Sequence, residues 1–298
     1  MILVTGGAGV LGSRLVRGLV EAGHTVRALT LPGDPNVDRL SGVNCDIVFG
    51  DVADAHSLAG AFDGVKTVYH LAAVIIAQDP SDYERINVGG VKNVVAGARD
   101  AGALHFVHVS SAAALHPQGS AYARSKLDGE RIVREQGTMH FTIVRPTLIY
   151  DREGGQEFRM FLAGLERFPV APFVGLGRAR KNPVHADDIV KGLVAIASNP
   201  RTYGKVYHFS GGEVVSILEL ARLALALRGS SRPIVPVPVP LCRLAAFIME
   251  RTMKKPPLTG YGISRIVEDA PLDNSDARRD LGYDPVGVHE GLARCWRR

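Results

Sequence analysis

The 298-residue sequence predicts an α/β fold: a doubly wound parallel sheet with helices on both faces, followed by a smaller C-terminal lobe. Three observations predict it. A glycine-rich turn joins an apolar run to a helical pattern at the N-terminus, strand-like and helical patterns then alternate through the first half, and that alternation decays after Pro146. Ile2, Leu3 and Val4 form a near-continuous apolar run, as expected of a strand buried on both faces. Gly6 permits a tight turn, Gly9 permits close approach of a ligand to the backbone, and Gly12 permits close helix–strand packing. Val10 and Leu11 then open a helix whose first N–H groups and dipole favour phosphate oxygens, so a dinucleotide is expected here.

Further strand-like runs cover residues 25–30, 45–49, 66–71, 104–110 and 140–145. HFVHVSS ends in Ser110 and Ser111, and the helical stretch beyond it carries Tyr122 and Lys126. Their i, i+4 spacing places both on one helix face, which suits an active site. Past Pro146 a short helix is expected near residues 158–168 and another from Asp187 or Asp188 to about 198. KVYHFSG at 205–211 reads as a late strand, and PIVPVPVP at 233–240 as an extended linker or edge strand, because its prolines lack donors. The amphipathic LCRLAAFIMERTMKK that follows is expected to pack over a substrate pocket, with a membrane-surface helix as the alternative. The implied division is a dinucleotide-binding domain of residues 1–150 plus about 186–212, and a substrate-binding lobe of 151–185 and 213–298.

Composition narrows the classes. With 46% hydrophobic residues the chain can bury a large core, and no run approaches the roughly 18 apolar residues of a membrane span. Met1 leads straight into the first strand, so a cytoplasmic protein is expected. Cys45, Cys242 and Cys295 are too few and too scattered for a disulfide framework or a metal knuckle, and no metal is expected. The net charge of +5 suits an anionic cofactor but comes partly from Arg294, Arg297 and Arg298; no basic–aromatic pattern points to nucleic acid.

The spacing G-x-x-G-x-x-G with Tyr122 and Lys126 resembles the short-chain dehydrogenase/reductase superfamily, a Rossmann-type fold. With GDVAD at 50–54, HLAA at 70–73, Asn87, RPTLIY at 145–150, NPVHADD at 182–188 and LDNSDARRDLGYDP at 272–285, the chain resembles its extended members. These include nucleotide-sugar epimerases and dehydratases, 3β-hydroxysteroid dehydrogenases and dihydroflavonol reductases. The resemblance implies NAD or NADP as cofactor, bound by Gly6, Gly9, Val10, Leu11, Gly12, Thr30, Asp51, Val52, Leu71, Ala72, Ala73, Tyr122 and Lys126. Asp51 would accept from the adenine amino group, Ala72 and Ala73 would leave room beside the ribose, and Asn87 would bridge backbone groups at a helix start.

The implied catalytic residues are Ser111, Tyr122 and Lys126. A phenol with a pKa of about 10 is a poor base, so the Lys126 ammonium and the positive nicotinamide must favour phenolate while Tyr122 exchanges a proton with a substrate hydroxyl. Ser111 would orient the substrate oxygen. Many epimerases have a third serine where this chain has Ala112; reductases with an S-S-A pattern use the second serine, which selects Ser111 and holds Ser110 in reserve. Ten residues lie between Ser111 and Tyr122, about half the interval the resemblance implies, so a loop that walls the substrate site is shortened.

Dehydratases follow the corresponding threonine with an Asp-Glu pair, and here Ala112 and Ala113 stand there, which argues against dehydration. For the substrate, a nucleotide-sugar is the leading expectation, with Arg152, Arg159, Arg178, Arg180 and Lys181 available to a diphosphate, although Leu148 replaces an often-found Asn. The alternative is an apolar alcohol or ketone, with Leu148, Phe158, Phe161, Phe168 and Phe173 lining a cleft. A non-catalytic dinucleotide sensor is the rival from another class, and intact Ser111, Tyr122 and Lys126 argue against it. Thr30 and Leu31 at the end of the second strand carry no charge, and Arg14 and Arg27 are the cations considered for a 2′-phosphate, so discrimination between the cofactors under about 1.5 kcal/mol is expected. The resemblance also implies a homodimer through helices around 81–101 and 120–136.

Overall fold

Residues 1–152, 155–253 and 256–296 are described by a computed structural model, so Arg297 and Arg298 of the basic tail lie outside the described residues. The chain forms two compact units: residues 1–147, 186–209 and 274–284 make the first, and 148–185, 210–273 and 285–298 the second.

The first unit opens with β1 (Ile2–Thr5), α1 (Val10–Glu21), β2 (Val26–Thr30), β3 (Asp46–Phe49), β4 (Thr67–His70), α2 (Gly89–Asp100), β5 (His105–Val109), α3 (Ala121–Glu135) and β6 (His140–Pro146). The second unit then takes β7 (Ile149–Tyr150), α4 (Gln156–Glu166), β8 (Ala171–Val174), β9 (Arg180–Lys181) and β10 (Val184–His185). The first resumes with α5 (Ala186–Ile196) and β11 (Lys205–Phe209), and the second with β12 (Val215–Ser216), α6 (Ile217–Leu227), β13 (Ile234–Val237), α7 (Val239–Thr252) and α8 (Gly260–Val267). Helix α9 (Ser275–Leu281) belongs to the first unit and α10 (Val288–Trp296) to the second.

The first unit's sheet has seven parallel strands in the order β11-β6-β5-β4-β1-β2-β3. Its direction of winding reverses at β1, so the crevice beyond the carboxyl ends of β1 and β4 is the switch point where such sheets bind ligands. Every residue of β1 is buried, as its continuous apolar run requires. Successive residues of a strand point to opposite faces. In β4, Val68 joins the cluster with Leu3, Phe106, Phe62 and the α2 residues Val91, Val94, Val95 and Ala98, while the Tyr69 hydroxyl donates to the Leu193 carbonyl of α5 at 3.0 Å. Helices therefore cover both faces. Helix α1 buries Leu15, Val16 and Leu19 along one stripe and meets α5 through Gly18, where a Cβ would lie 3.1 Å from Val194 Cγ2.

The second unit has its own core, built by Tyr150, Phe158, Leu162, Phe173, Leu220, Ala224, Val288 and Leu292. The proline-rich run is a strand: β13 pairs in parallel with β8, from Ile234 opposite Ala171 to Val237 opposite Val174. The carbonyls of Pro233 and Val237 accept from the N–H groups of Ala171 (2.9 Å) and Gly175 (2.8 Å), so the bonds do not need the donors that proline lacks. Strand β8 and helix α8 were not legible in the sequence.

Candidate active site

The glycine turn is built as its spacing requires. Gly6 has φ +69°, and a Cβ there would lie 3.0 Å from the Ala72 nitrogen, so the HLAA loop rests directly on this glycine. A Cβ on Gly12 would run into the Gly6 carbonyl, which fixes the approach of α1 to β1. Gly9 precedes α1, whose N-terminus has no side-chain cap, so the N–H groups of Val10, Leu11 and Gly12 are left for an oxyanion. The Thr5 hydroxyl lies 2.8 Å from His70 Nδ1 and accepts from the Ala72 N–H at 3.2 Å, which ties the ends of β1 and β4 together.

At the end of β2, Thr30 is buried and its hydroxyl has no partner among the described residues. An unpaired buried hydroxyl costs about 1–3 kcal/mol, and a ribose hydroxyl would satisfy it. Together with the uncapped glycine turn, this orphaned group fits a dinucleotide. Asp51 spends one oxygen on the Ala53 N–H (2.9 Å), and the other lies 4.0 Å from the Arg85 guanidinium. Val52 is buried, and Leu71, Ala72 and Ala73 line the half-buried stretch after β4.

Neither cation considered for a 2′-phosphate is placed there. Arg27 Nε donates to Asp46 (2.6 Å), and its Nη1 reaches the carbonyls of Gly60, Ala61 and Asp63; Arg14 pairs with Asp187 at 2.8 Å. The residue that does reach the glycine turn is Arg39, whose Nη1 donates to the Ala8 carbonyl at 3.4 Å. Sequence reasoning missed it because it lies nine residues beyond β2, where no spacing rule points.

The three catalytic candidates gather at the end of β5. Lys126 is 4% exposed, and its Nζ donates to the Val109 carbonyl at 2.8 Å, which ties α3 to the last residue of β5. Ser111 follows two residues later and Tyr122 precedes Lys126 by one helical turn, so that single bond holds their backbones to one region. Burial pushes the Lys126 pKa down to about 8, with the nearby Glu130 carboxylate opposing the shift. Two further ammonium N–H bonds have no acceptor among the described residues, which suits ribose hydroxyls.

The two serines have different surroundings. Ser110 is buried and donates to Glu130 Oε1 at 2.6 Å, and Arg145 grips the same carboxylate at 2.8 and 2.6 Å. Ser111 is half-buried and its oxygen accepts from the Ala113 N–H at 3.1 Å, which leaves the hydroxyl proton to be donated. Tyr122 is also half-buried and packs against Tyr83, ring centroids 6.0 Å apart.

Asn87 lies in a π-helical turn (Tyr83–Val88) that leads into α2. It accepts from the Val74 N–H (2.8 Å) and donates to the Val74 carbonyl (3.0 Å) and the Ser125 hydroxyl (2.9 Å), so it fastens the loop after β4 to helix α3.

In the second unit, Arg152, Arg159, Arg178 and Arg180 are exposed, while Lys181 donates to the Glu268 carbonyl at 2.6 Å and burial pushes its pKa down to about 8. Phe158 and Phe173 lie inside that unit's core rather than lining a cleft; Phe161 and Leu148 pack on the core's edge, and Phe168 is exposed. An apolar pocket of about 590 Å³ lies elsewhere in this unit. Val174, Leu176, Val237, Val239, Ile266 and Val267 contribute to its wall, and Arg178 is the one charged residue in its described lining.

Residues 2–210 match the NAD dependent epimerase/dehydratase family. The chain belongs to that family. It is 27% identical to the 3β-hydroxysteroid dehydrogenase/Δ5→4-isomerase of Mycobacterium tuberculosis, over 99% of this chain and 89% of that protein. It is 30% identical to the 2-alkyl-3-oxoalkanoate reductase of Stenotrophomonas maltophilia, over 98% and 97%. Among solved structures it is similar to a dTDP-glucose 4,6-dehydratase of Streptomyces venezuelae with NAD bound, at 26% identity and a TM-score of 0.76, over 99% of this chain and 95% of that one. Because a dehydratase stands among its likenesses, the likeness gives no ground for setting dehydration aside. Among the described residues no helix is long and apolar enough to cross a membrane.

Proposed function

We propose that this chain is an NAD(P)-dependent oxidoreductase acting on a secondary alcohol or ketone with an apolar body. The observation that carries the substrate class is the second unit's pocket, whose described lining is hydrocarbon but for Arg178. The relatives named for steroid and alkyl-oxoalkanoate substrates support it. On this reading the second unit recognises the substrate, and the nucleotide-sugar expectation gives way to the apolar one.

Gly9 and the first N–H groups of α1 would hold the dinucleotide's phosphates, and Thr30 and Lys126 its ribose hydroxyls. When bound, the nicotinamide supplies or accepts hydride. Ser111 would donate a hydrogen bond to the substrate oxygen while keeping its proton, which holds that oxygen toward Tyr122. Tyr122 would exchange its phenolic proton with that oxygen as hydride moves, and the buried Lys126 cation favours the phenolate form. Ala112 and Ala113 offer no acid–base pair for removing water, which supports net oxidation or reduction over dehydration. A homodimer through the helices of the first unit and a cytoplasmic setting are part of the same proposal.

The test is a set of NADH and NADPH oxidation assays with a steroid ketone and a long-chain 3-oxo acid, alongside thermal shifts with UDP and dTDP under saturating cofactor. Turnover of an apolar ketone without a nucleotide shift is the expected result. A stabilisation of about 2.7 kcal/mol from a nucleoside diphosphate at a hundred times its Kd, lost in Lys181→Ala, would overturn the apolar reading.

A further inference from the structure

Helix α7 is built inside out. An amphipathic helix normally turns its large apolar side chains inward, yet here Cys242 and Ala246 are the buried residues, while Leu241 (57% exposed), Leu244 (57%), Phe247 (52%) and Ile248 (51%) face solvent. At about 100° per residue these four fall within an arc of about 120°. They form one apolar stripe along a helix about 21 Å long. The inward face is complete, since Cys242 and Ala246 pack with Ile263 in a small cluster that includes Val174, Val237 and Val267.

Charge accompanies the stripe. Residues 239–255 carry Arg243, Arg251, Lys254 and Lys255 against one acid, Glu250, which accepts from the Gly260 N–H at 3.1 Å. The Arg251 guanidinium lies 3.4 Å from the centroid of the Phe247 ring, so a cation sits on the stripe itself. The first residues of the same helix, Val239 and Pro240, line the apolar pocket, and Leu176, also in the lining, is 58% exposed. Exposed hydrocarbon thus continues from the stripe into the pocket.

We propose that the outer face of α7 docks on an anionic lipid bilayer, with Leu241, Leu244, Phe247 and Ile248 sunk among the acyl chains and Arg243 and Arg251 at the phosphate level. The helix lies in the interface and does not cross it, as an apolar stripe combined with excess positive charge favours. The docking rests on the apolar-substrate reading only for its purpose, which is to let a lipid-dissolved substrate reach the pocket without passing through water.

The test is co-sedimentation of the full chain with vesicles of phosphatidylcholine containing about 30 mol% phosphatidylserine, compared with phosphatidylcholine alone, where binding should be at least about tenfold weaker. Leu244→Ser/Ile248→Ser should abolish sedimentation while leaving the unfolding midpoint and NADPH binding as in the parent, because both side chains point outward. Arg243→Gln/Arg251→Gln should weaken binding to the anionic vesicles alone. Failure of the parent to sediment with anionic vesicles, or equal sedimentation of the serine variant, would overturn the proposal. So would light scattering in which the parent is a dimer and the serine variant a monomer, since a second copy would then be the occupant. None of these outcomes depends on the ketone assays, so either reading can fail alone.

Discussion

Helices α1 and α7 have similar amphipathic sequences and face opposite ways. Helix α1 turns Leu15, Val16 and Leu19 into the sheet, whereas α7 turns Cys242 and Ala246 inward and leaves four large apolar residues in solvent. Periodicity identifies an apolar face, but it does not say whether that face meets the protein's own core or another partner. The distinction has an energetic content: an inward stripe contributes to folding, and an outward one can contribute only to binding.

The largest effect that sharpens this contrast comes from a third helix. In α3 one face is buried through Ala123, Lys126, Glu130 and Val133, and Tyr122 sits half-buried at its start. Tyr122→Phe should lower turnover by about two to four orders of magnitude while NADPH titration and the unfolding midpoint stay near the parent's, because the ring stays and only the hydroxyl that the proposed mechanism uses for proton exchange is lost. A near-normal rate would remove Tyr122 from the chemistry. Next, Leu15→Ala should cost about 2–5 kcal/mol in urea unfolding, and Leu244→Ala no more than about 0.5 kcal/mol. Equal costs would mean that the α7 stripe is core after all.

Acid probes the first unit's interior by another route. His70 is buried with Nε2 unpartnered among the described residues, and burial together with the Lys126 charge pushes its pKa down to about 3; His108, stacked on it at 5.7 Å, is held low for the same reasons. The unfolded chain takes up protons below its ordinary histidine pKa of about 6.5 while these folded histidines do not, so stability is full above that value and falls with pH beneath it. For His70 the loss at pH 5 is roughly 2 kcal/mol, and replacing His70 with Gln should flatten the dependence of the urea midpoint on pH. An unchanged slope would show that the interior admits protons. The smallest effect concerns cofactor choice. Arg39→Ala should reduce preference for NADPH over NADH by about fivefold, near 1 kcal/mol, as read by fluorescence titration of both. No change in that ratio would place the 2′-phosphate away from Arg39.

How much was legible follows the range of the interactions. The β1–α1 turn was readable because Gly9 and Gly12 both answer the Gly6 carbonyl a few residues away, although Gly6 itself answers the distant Ala72, and the seven-stranded sheet was readable because each strand carries its own apolar run. The S-S-A pattern pointed to Ser111, but the bond that occupies Ser110 runs to Glu130, twenty residues away, and the approach of Arg39 to the Ala8 carbonyl spans thirty-one, so neither could be read from local sequence. Phe158 and Phe173 show the same limit. As sequence they could line a cleft or fill a core, and only the packing of α4, β8 and α6 decides for the core.

The threading of the chain between its two units sets a limit on dissection. The first unit draws its last strand, β11, and helix α9 from beyond residue 186, after 38 residues have gone to the second. A fragment ending at residue 147 would keep the glycine turn, Ser111, Tyr122 and Lys126, yet it would leave the paired side of β6 bare along Thr142 to Pro146, where β11 now lies. An uncovered, largely buried strand edge invites pairing between molecules. Such a nucleotide-binding half is expected to aggregate rather than persist as a module, and its inheritance, expression and engineering have to proceed with the chain whole.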